Sequence, residues 1–339
     1  MPHYNGVDIL TGCLDSLRKA TYEPLEIIVV DNGSADDSVA VVKEQYPEVR
    51  LLELPENLGF AGGCNRGVEY STGTYVLILN NDTTHEPGWI EPLVRMLESD
   101  EQISAVQPKI LNSHHRDTFD YAGASGGYMD MFCFPFTRGR IFDELEKDTG
   151  QYDDSVEVFW ASGTAFLTRR LLFLETDGFD KDLFAHMEEI DFHWKCRLMG
   201  YRVMVEPLSV IFHLGGATLA YASPHKTYLN HRNSMLLLLT NYEAMNAIFL
   251  GIPRLFMEIV SIIRDAFTGR MDHSSAQIKA FWWLCTHFEV IQQRRDQIKR
   301  LRKISDTELM KNLYRRSLVF DYFILDIRTF THLIFLTAK

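Results

Sequence analysis

Short apolar runs alternate with segments of helical periodicity in the first part of the chain. Apolar residues recur at helical spacing in DILTGCLDSLRKA and DDSVAVVKEQY, whereas LEIIVVD, VRLLEL and YVLIL are short runs typical of buried strands. Strands that are separated by helix-length segments indicate parallel βαβ units. The pattern therefore predicts an α/β fold with a mainly parallel sheet flanked by helices.

Polar side chains follow two of these strands directly. Asp-Asn-Gly at residues 31–33 ends one run, and Asn-Asn-Asp at residues 80–82 ends another. Because ligands of open α/β sheets bind beyond the carboxyl ends of the strands, we expect both triplets to lie on one rim, where a single ligand could touch both. Taken alone, each triplet is also good turn and helix-capping chemistry.

A glycine-rich segment, NLGFAGGCNRG, separates the runs VRLLEL and YVLIL. It predicts a turn, and its glycines also suit tight packing. The spacing of Gly59, Gly62, Gly63 and Gly67 differs from the G-x-G-x-x-G fingerprint of dinucleotide-binding proteins. A dehydrogenase is therefore disfavoured.

Composition and charge narrow the class of protein. The 339 residues are 46% hydrophobic and contain five scattered cysteines without a C-x-x-C pair, which predicts a substantial core in a reducing compartment rather than a disulfide or zinc scaffold. The N-terminus resembles no secretory signal, so we expect a cytoplasmic protein. A formal charge of -12 argues against bulk nucleic-acid binding. A phosphate ligand would need a local positive charge, such as a metal ion.

Several separated motifs together resemble glycosyltransferase family 2, in particular its bacterial rhamnosyltransferase-like subgroup. They are EIIVVDNGSADDSV, LPENLGFAGGCNRG and YVLILNNDT, followed in the expected order by WASGTAFLTRR, GFDKDLFAHMEEIDFHWKCRLMGYRV and FHLGGAT. The resemblance covers roughly residues 3–240. It implies the GT-A fold and an inverting, metal-dependent sugar transfer from a dTDP- or UDP-sugar to a glycan or lipid-linked acceptor in cell-surface polysaccharide synthesis.

The resemblance also assigns the donor side. Asp31 matches the residue that contacts the nucleobase or ribose, and Asn80 and Asp82 match the two ends of the Asp-x-Asp motif. Asp82 would bind Mg²⁺ or Mn²⁺, which prefer oxygen ligands and keep several waters. His213 is a candidate second metal ligand, and Asn65 is a candidate donor contact.

Three acidic residues near position 190 match the catalytic segment of the family. Glu189 falls at the position of the base, but its side chain is longer than the usual Asp, so Glu188 or Asp191 could replace it. Acidic residues in the first turn of a helix also simply complement its dipole. The resemblance also implies three residues on the acceptor side: Trp160, Ser162 and Gly163. A tryptophan in the core is, however, about as common as one that stacks on a sugar ring.

Two departures from the family pattern concern the donor pocket. Cys64 stands where the family often has Arg, so a cationic diphosphate contact is missing. Only Pro2-His3 precedes Tyr4-Asn5, where the family has an apolar strand, and we expect the true chain to begin further upstream. The alternative hypothesis is a catalytically inactive GT-A module that binds nucleotide or glycan without turnover.

The composition changes after about residue 225. We expect a GT-A catalytic domain at 1–224 and a helical region at 225–339. Polar residues interrupt the apolar stretch of 233–267, so a spanning helix is not expected. The aromatic segment 281–288 precedes a basic run, 294–303, a combination that suits peripheral binding to an anionic membrane surface at the inner face of the cytoplasmic membrane. The alternative is a helical subdomain packed on the catalytic domain.

Overall fold

A computed structural model of the chain describes residues 1–215 and 223–333. Its strands are β1 (Pro2–His3), β2 (Ile28–Asp31), β3 (Arg50–Glu53), β4 (Tyr75–Leu79), β5 (Thr83–His85), β6 (Ile103–Asn112), β7 (Gly127–Met129), β8 (Pro135–Thr137), β9 (Arg140–Ile141), β10 (Glu144–Leu145), β11 (Val156–Val158), β12 (Ala165–Arg169) and β13 (Arg202–His213). Its helices are α1 (Val7–Leu17), α2 (Ser38–Gln45), α3 (Gly59–Tyr70), α4 (Ile90–Glu98), α5 (Arg170–Glu175), α6 (Glu188–Leu198), α7 (Pro224–Asn241), α8 (Ala244–Phe267), α9 (Met271–Thr286), α10 (Phe288–Leu301), α11 (Asp306–Leu309) and α12 (Leu318–Phe323).

The first three strands form a parallel sheet in the order β1-β2-β3. Pro2 pairs with Val30 and His3 pairs with Asp31, so a two-residue strand occupies the place where the sequence showed no apolar run. The amide of Val30 also donates to the carbonyl of Met1, at 2.9 Å. The βαβ pattern of the sequence is confirmed in this half of the fold.

A larger mixed sheet has the order β11-β13-β6-β12-β4, with β5 paired to β13. Strands β13 and β6 are parallel, while β12 runs antiparallel to both β4 and β6. The pairing of β5 places Thr83 opposite His213. This register brings the end of β13 beside the polar triplet that follows β4.

The glycine-rich segment is a helix, and the prediction of a turn was wrong. Helix α3 spans Gly59–Tyr70 and packs on the parallel sheet. A Cβ at Gly63 would lie 2.7 Å from Asn32 Nδ2, and one at Gly67 would lie 2.9 Å from a methyl group of Val30. Glycine costs about 1 kcal/mol in a helix relative to alanine. Close packing on the sheet outweighs that preference here.

The C-terminal helices pack on the α/β half. One hydrophobic cluster joins Trp160, Met187 and Trp194 to Leu236 of α7 and Leu284 of α9. Apolar packing therefore joins the segments on both sides of residue 224. The division into domains at 1–224 and 225–339 remains a prediction.

A buried ion network fastens α10 to α6. Arg294, which is 4% exposed, pairs with Asp180 and lies 2.7 Å from Asp191 Oδ1. Lys195 Nζ lies 2.8 Å from the other oxygen of Asp191, and Asn241 donates to that carboxylate at 3.0 Å. One member of the predicted basic run thus faces the protein interior instead of a lipid surface.

We predict that Arg294→Met destabilises the fold by about 3–5 kcal/mol, because it leaves the carboxylate of Asp191 buried with less positive charge. The midpoint of urea unfolding would measure the loss. Arg300→Met, at an exposed arginine of the same helix, serves as the matched control and should change the midpoint little. Equal midpoints for the two variants would show that the network does not stabilise the fold.

Candidate active site

Asp31 ends β2 with half of its carboxylate unused. Its Oδ2 accepts hydrogen bonds from the amides of Gly33 at 3.2 Å and Ser34 at 3.1 Å. Its Oδ1 is buried and has no hydrogen-bond partner. A buried polar atom without a partner is costly, so this oxygen is suited to a ligand hydroxyl or N–H group.

The two polar triplets meet through His3. The ring of His3 lies 2.7 Å from Asn81 Nδ2 on one side and 2.8 Å from Ser38 Oγ on the other, while His3 pairs with Asp31 in the sheet. Burial lowers the pKa of His3, against the opposing effect of Asp31. The ends of β1, β2 and β4 thus lie on one rim, as the sequence predicts.

Asp82, His213 and Asp120 form a buried row behind this rim. His213 Nδ1 lies 2.8 Å from Asp120 Oδ1, and its Nε2 lies 3.1 Å from Asp82 Oδ1. The second distance is that of an ion pair, and Asp82 Oδ1 is buried without a regular hydrogen bond. The remaining oxygen of Asp120 is also buried without one.

The charge of this row suits a cation. Burial alone would lower the pKa of His213, but hydrogen bonding to Asp120 and the charges of both carboxylates raise it to about 10. Two carboxylates thus share one imidazolium, and a divalent ion could take the place of its proton. Asp120 orients the ring as the second carboxylate does in carboxylate–histidine–metal sites.

The residues therefore fit a divalent cation held by Asp82 and His213. Within the described residues, no group of three or more His, Cys, Asp or Glu side chains is arranged to bind a metal. Two protein ligands are sufficient for Mg²⁺, which usually keeps several waters and substrate phosphate oxygens. The last three residues of the motif FHLGGAT, positions 216–218, lie outside the described residues.

Glu188 and Glu189 open α6, the helix whose first turn the sequence predicted to be acidic. Each has one buried oxygen, Oε2, without a hydrogen-bond partner. Burial and the neighbouring Glu189 raise the pKa of Glu188 well above its usual value. Burial also raises the pKa of Glu189, but amides that include those of Ile190 and Gly163 counteract it, and the pKa is about 7. Both carboxyl groups thus hold their protons to higher pH than an exposed glutamate does.

The loop before these glutamates has an unusual backbone. Phe184, His186 and Met187 have φ values of 61°, 66° and 76°, a region that costs non-glycine residues about 1–3 kcal/mol each. The side chain of Asn233 holds the loop by donating to the carbonyls of Leu183, Ala185 and His186 at 2.7–3.1 Å. Such strain is common at functional sites.

Helix α7 thereby supplies a contact that the sequence did not suggest. Asn233 lies 44 residues beyond Glu189 in the chain, and Arg232 beside it donates to the carbonyls of Asp182 and Leu183. Asp120 was missed as well. No local pattern distinguishes these side chains from ordinary polar residues, because their role depends on contacts between distant segments.

Three candidates have mainly internal contacts. Both amide atoms of Asn65 bond to the backbone of Phe179, at 2.7 and 2.9 Å. Trp160 is 4% exposed, and its indole N–H donates to Tyr128 O at 2.8 Å. The structure thus makes Trp160 a core residue rather than a sugar-stacking surface. Asp191, held by its ion pairs, has a pKa well below its usual value despite burial.

The remaining candidates lie near the glutamates or beyond β4. Gly163 is close to Glu189, since a Cβ built on it would lie 3.8 Å from that of Glu189. Ser162 is buried, with its hydroxyl donating to Ala122 O and its amide to Gln107 Oε1. The backbone amide of Asn80 donates to Thr164 O at 2.9 Å, which ties the donor-side triplet to the segment that carries Gly163.

Comparison with known families bears directly on this site. Residues 1–170, half of the chain, match the family described as Glycosyl transferase family 2. The chain belongs to glycosyltransferase family 2. The match includes the ends of β2 and β4 with Asp31, Asn80 and Asp82, and the protein is therefore a glycosyltransferase.

Named relatives are bacterial enzymes. N-acetylglucosaminyl-diphospho-decaprenol L-rhamnosyltransferase of Mycobacterium tuberculosis is 26% identical over 214 residues, 59% of this chain and 70% of that protein. Poly-beta-1,6-N-acetyl-D-glucosamine synthase of Staphylococcus aureus is 25% identical over 224 residues, 64% of this chain and 49% of the synthase. The two relatives differ in reaction, so they support the family more than a substrate.

Solved glycosyltransferases share the fold. GalNAc-T7 with UDP, GalNAc and Mn²⁺ aligns with a TM-score of 0.56 and 17% identity over 72% of this chain, which spans 48% of that protein. The mannosyltransferase PcManGT of Pyrobaculum calidifontis in complex with GDP-Man and Mn²⁺ aligns with a TM-score of 0.52 and 16% identity. The alignment covers 92% of this chain and 85% of the mannosyltransferase. The family 2 protein thus has the GT-A fold that the sequence predicts.

We predict that Asn233→Asp lowers turnover by about 10²-fold, because an acceptor oxygen would face three carbonyls and the loop before Glu188 would shift. Release of nucleoside diphosphate from a panel of nucleotide sugars would measure turnover, with donor affinity measured separately. Asn230→Asp, one turn earlier on the same helix and half-buried, is the control. A similar loss in both variants would mean that the loop contact is not what matters.

Proposed function

We propose that the protein is an inverting, metal-dependent transferase that moves a sugar from a dTDP- or UDP-sugar to a glycan or lipid-linked acceptor in cell-surface polysaccharide synthesis. The observation that carries the proposal is the pair of adjacent buried carboxyl groups, Glu188 and Glu189, each of which has one oxygen without a hydrogen-bond partner and a pKa that burial raises. The names of the relatives from M. tuberculosis and S. aureus support the acceptor class.

In this proposal the rim at β2 and β4 binds the nucleotide. The free oxygen of Asp31 accepts a hydrogen bond from the nucleobase or ribose, and Asn80 contacts a ribose or phosphate oxygen. A Mg²⁺ or Mn²⁺ ion held by Asp82 and His213 would supply positive charge to the diphosphate. Asn65 contributes by fixing the loop at Phe179 instead of touching the donor.

Glu189 acts as the general base of the transfer. Its carboxylate takes the proton of the acceptor hydroxyl while that oxygen forms a bond to the anomeric carbon of the donor. The bond between this carbon and the diphosphate oxygen breaks on the opposite face, and the electron pair leaves with the diphosphate. Attack and departure on opposite faces invert the anomeric configuration.

Glu188 remains protonated during this step and limits the pair to one negative charge. Its raised pKa reflects burial and the charge on Glu189, and like-charged carboxyl groups at one site do not ionise together. Asp191 is a positioning residue in this scheme, since its ion pairs hold α6 against α10.

We predict that Glu189→Gln lowers turnover by about 10²- to 10⁴-fold with little change in donor binding, because the amide cannot accept a proton. Glu188→Gln is the matched control and should retain more activity. Since Glu189 must be ionised, wild-type kcat/KM should rise with pH through about 7, and this ascending limb should disappear in Glu189→Gln. The reverse result for the two variants would assign the base to Glu188. Donor binding without turnover in the wild type would favour an inactive module.

We predict that Asp82→Ala abolishes Mn²⁺-dependent activity and weakens Mn²⁺ binding, which electron paramagnetic resonance of the free ion measures without turnover. The variant removes the one carboxylate that faces His213 Nε2 and so removes half of the proposed protein ligands. Asp120→Asn leaves both ligands in place and should weaken binding less. Full activity in excess chelator would refute metal dependence.

A cytoplasmic location with peripheral attachment to the inner face of the membrane is also proposed. Trp282 of α9 and Phe288 of α10 are exposed, as are Lys299 and Arg300 of α10 and Lys303 just after it. The three cations would bind anionic headgroups at about 1 kcal/mol each, and salt would weaken this electrostatic part of the attachment.

A further inference from the structure

Helix α8 presents its apolar face to solvent. The exposed large side chains recur at intervals of three and four residues along the helix and are Met245, Ile248, Phe249, Ile252, Leu255, Phe256, Ile259, Val260, Ile263 and Phe267. Ile252 and Phe256 are each 67% exposed. A surface helix of a soluble protein turns such a stripe toward the core. Exposed apolar patches of this extent mark interaction sites.

The opposite face of α8 carries the charges. Arg254, 1% exposed, donates to Glu258 Oε1 at 2.6 and 2.9 Å, to Phe132 O at 2.7 Å and to Ser234 Oγ at 2.8 Å. Asp265 accepts a hydrogen bond from Gln277 at 2.8 Å. The side of α8 that faces the protein thus carries buried charged and polar contacts beside the apolar Ala247 and Leu250, whereas its larger apolar surface faces solvent.

The apolar surface continues onto α12. Arg264, near the end of α8, lies 5.6 Å from the centre of the Phe323 ring. Around it Phe320, Phe323 and Ile324 are at least half exposed. Arg264 and Arg270 themselves keep about half of their side chains in solvent, so cations lie at the edge of the apolar surface.

Charge is distributed unevenly between the two parts of the chain. Residues 225–339 contain 17 Lys and Arg against 10 Asp and Glu, a formal charge of +7, whereas residues 1–224 contain 17 against 36. An anionic surface would attract the part that carries α8 and repel the other. Charge asymmetry of this kind orients a protein at a membrane.

We propose that α8 lies in the surface of an anionic lipid bilayer, with its axis along the membrane and its apolar stripe among the acyl chains. By length and composition α8, with a mean hydropathy of 1.6, could also cross a bilayer. A spanning orientation would place the ion pair of Arg254 and Glu258 in hydrocarbon and break its contacts with Ser234 and Phe132. An interfacial helix keeps these contacts.

A second copy of the chain fits the apolar stripe less well. A symmetric pairing through α8 would bring two regions of charge +7 together, and like-charge juxtaposition opposes association. A lipid leaflet with anionic headgroups meets both the apolar stripe and the cations at its edge. Insertion of α8 deepens the peripheral attachment in the proposed function and is independent of the proposed reaction.

Flotation of the full-length protein with vesicles of phosphatidylglycerol and phosphatidylcholine tests the proposal without any substrate. The wild type should float with the vesicles and stay bound in about 1 M NaCl, where the Debye length is about 3 Å, because insertion is mainly apolar. The double variant Ile252→Glu/Phe256→Glu should bind at least about tenfold more weakly, equivalent to 1.4 kcal/mol.

The control is Leu171→Glu/Leu208→Glu, which places the same two charges at leucines that are 76% and 77% exposed outside α8. It should float like the wild type. Release of the wild type by salt, or an equal loss of binding in both variants, would overturn insertion of α8. A dimer in sedimentation analysis that only Ile252→Glu/Phe256→Glu dissociates, without vesicle binding, would overturn it in favour of self-association.

Discussion

The free-energy cost of burying carboxylates determines which charged side chains pair in this protein. An ionised side chain out of water requires a cation or hydrogen-bond donors to compensate it. Asp191 is compensated by Lys195 and Arg294. Asp82 and Asp120 share the one imidazolium of His213. Glu188 and Glu189 have no cation beside them and one unpartnered oxygen each, and burial raises their pKa values although backbone amides oppose the rise at Glu189. Compensation is complete where the fold is held together and incomplete where chemistry would occur.

The site could be predicted from sequence wherever a strand end determines it. β-branched runs located β2 and β4, and the rule on strand ends placed Asp31 and Asp82 on one rim, which the contact between His3 and Asn81 supports. Helix α3 escaped prediction because local preference opposes it, while packing on Val30 and Asn32 favours it. The side chains of Asn233 and Asp120 gained their roles only from contacts made in the folded chain.

In the C-terminal region too, the sequence predicted the apolar character but not which side chains face the protein. Its apolar character was evident in the sequence, and its polar interruptions argued against a spanning helix. The sequence did not indicate which face of α8 packs on the protein. Arg254 and Glu258 look like polar interruptions of an apolar helix, and only the structure shows that they pair with each other. Likewise, the basic run appeared as one solvated surface, yet Arg294 is buried between two carboxylates.

Helix α7 contacts both helix α8 and the loop before Glu188. His231 pairs with Glu258 of α8, and the next two residues, Arg232 and Asn233, hold the strained loop before Glu188. In the proposed function, the position of the base Glu189 would therefore depend on the helix that packs against α8. Three consecutive residues of α7 thus contact both α8 and the loop before Glu188.

The electrostatics at the start of α6 show why this arrangement suits a base. A helix N-terminus stabilises a nearby carboxylate by about 0.3–1 kcal/mol, less than the roughly 1.4 kcal/mol that corresponds to one pH unit of pKa. The pKa of Glu189 nevertheless rises from 4.5 to about 7, so burial outweighs the helix end and the amides around it. Those amides favour the ionised form of Glu189, while the charge of Glu189 opposes ionisation of Glu188, which is the difference that the proposed roles of base and neutral neighbour require.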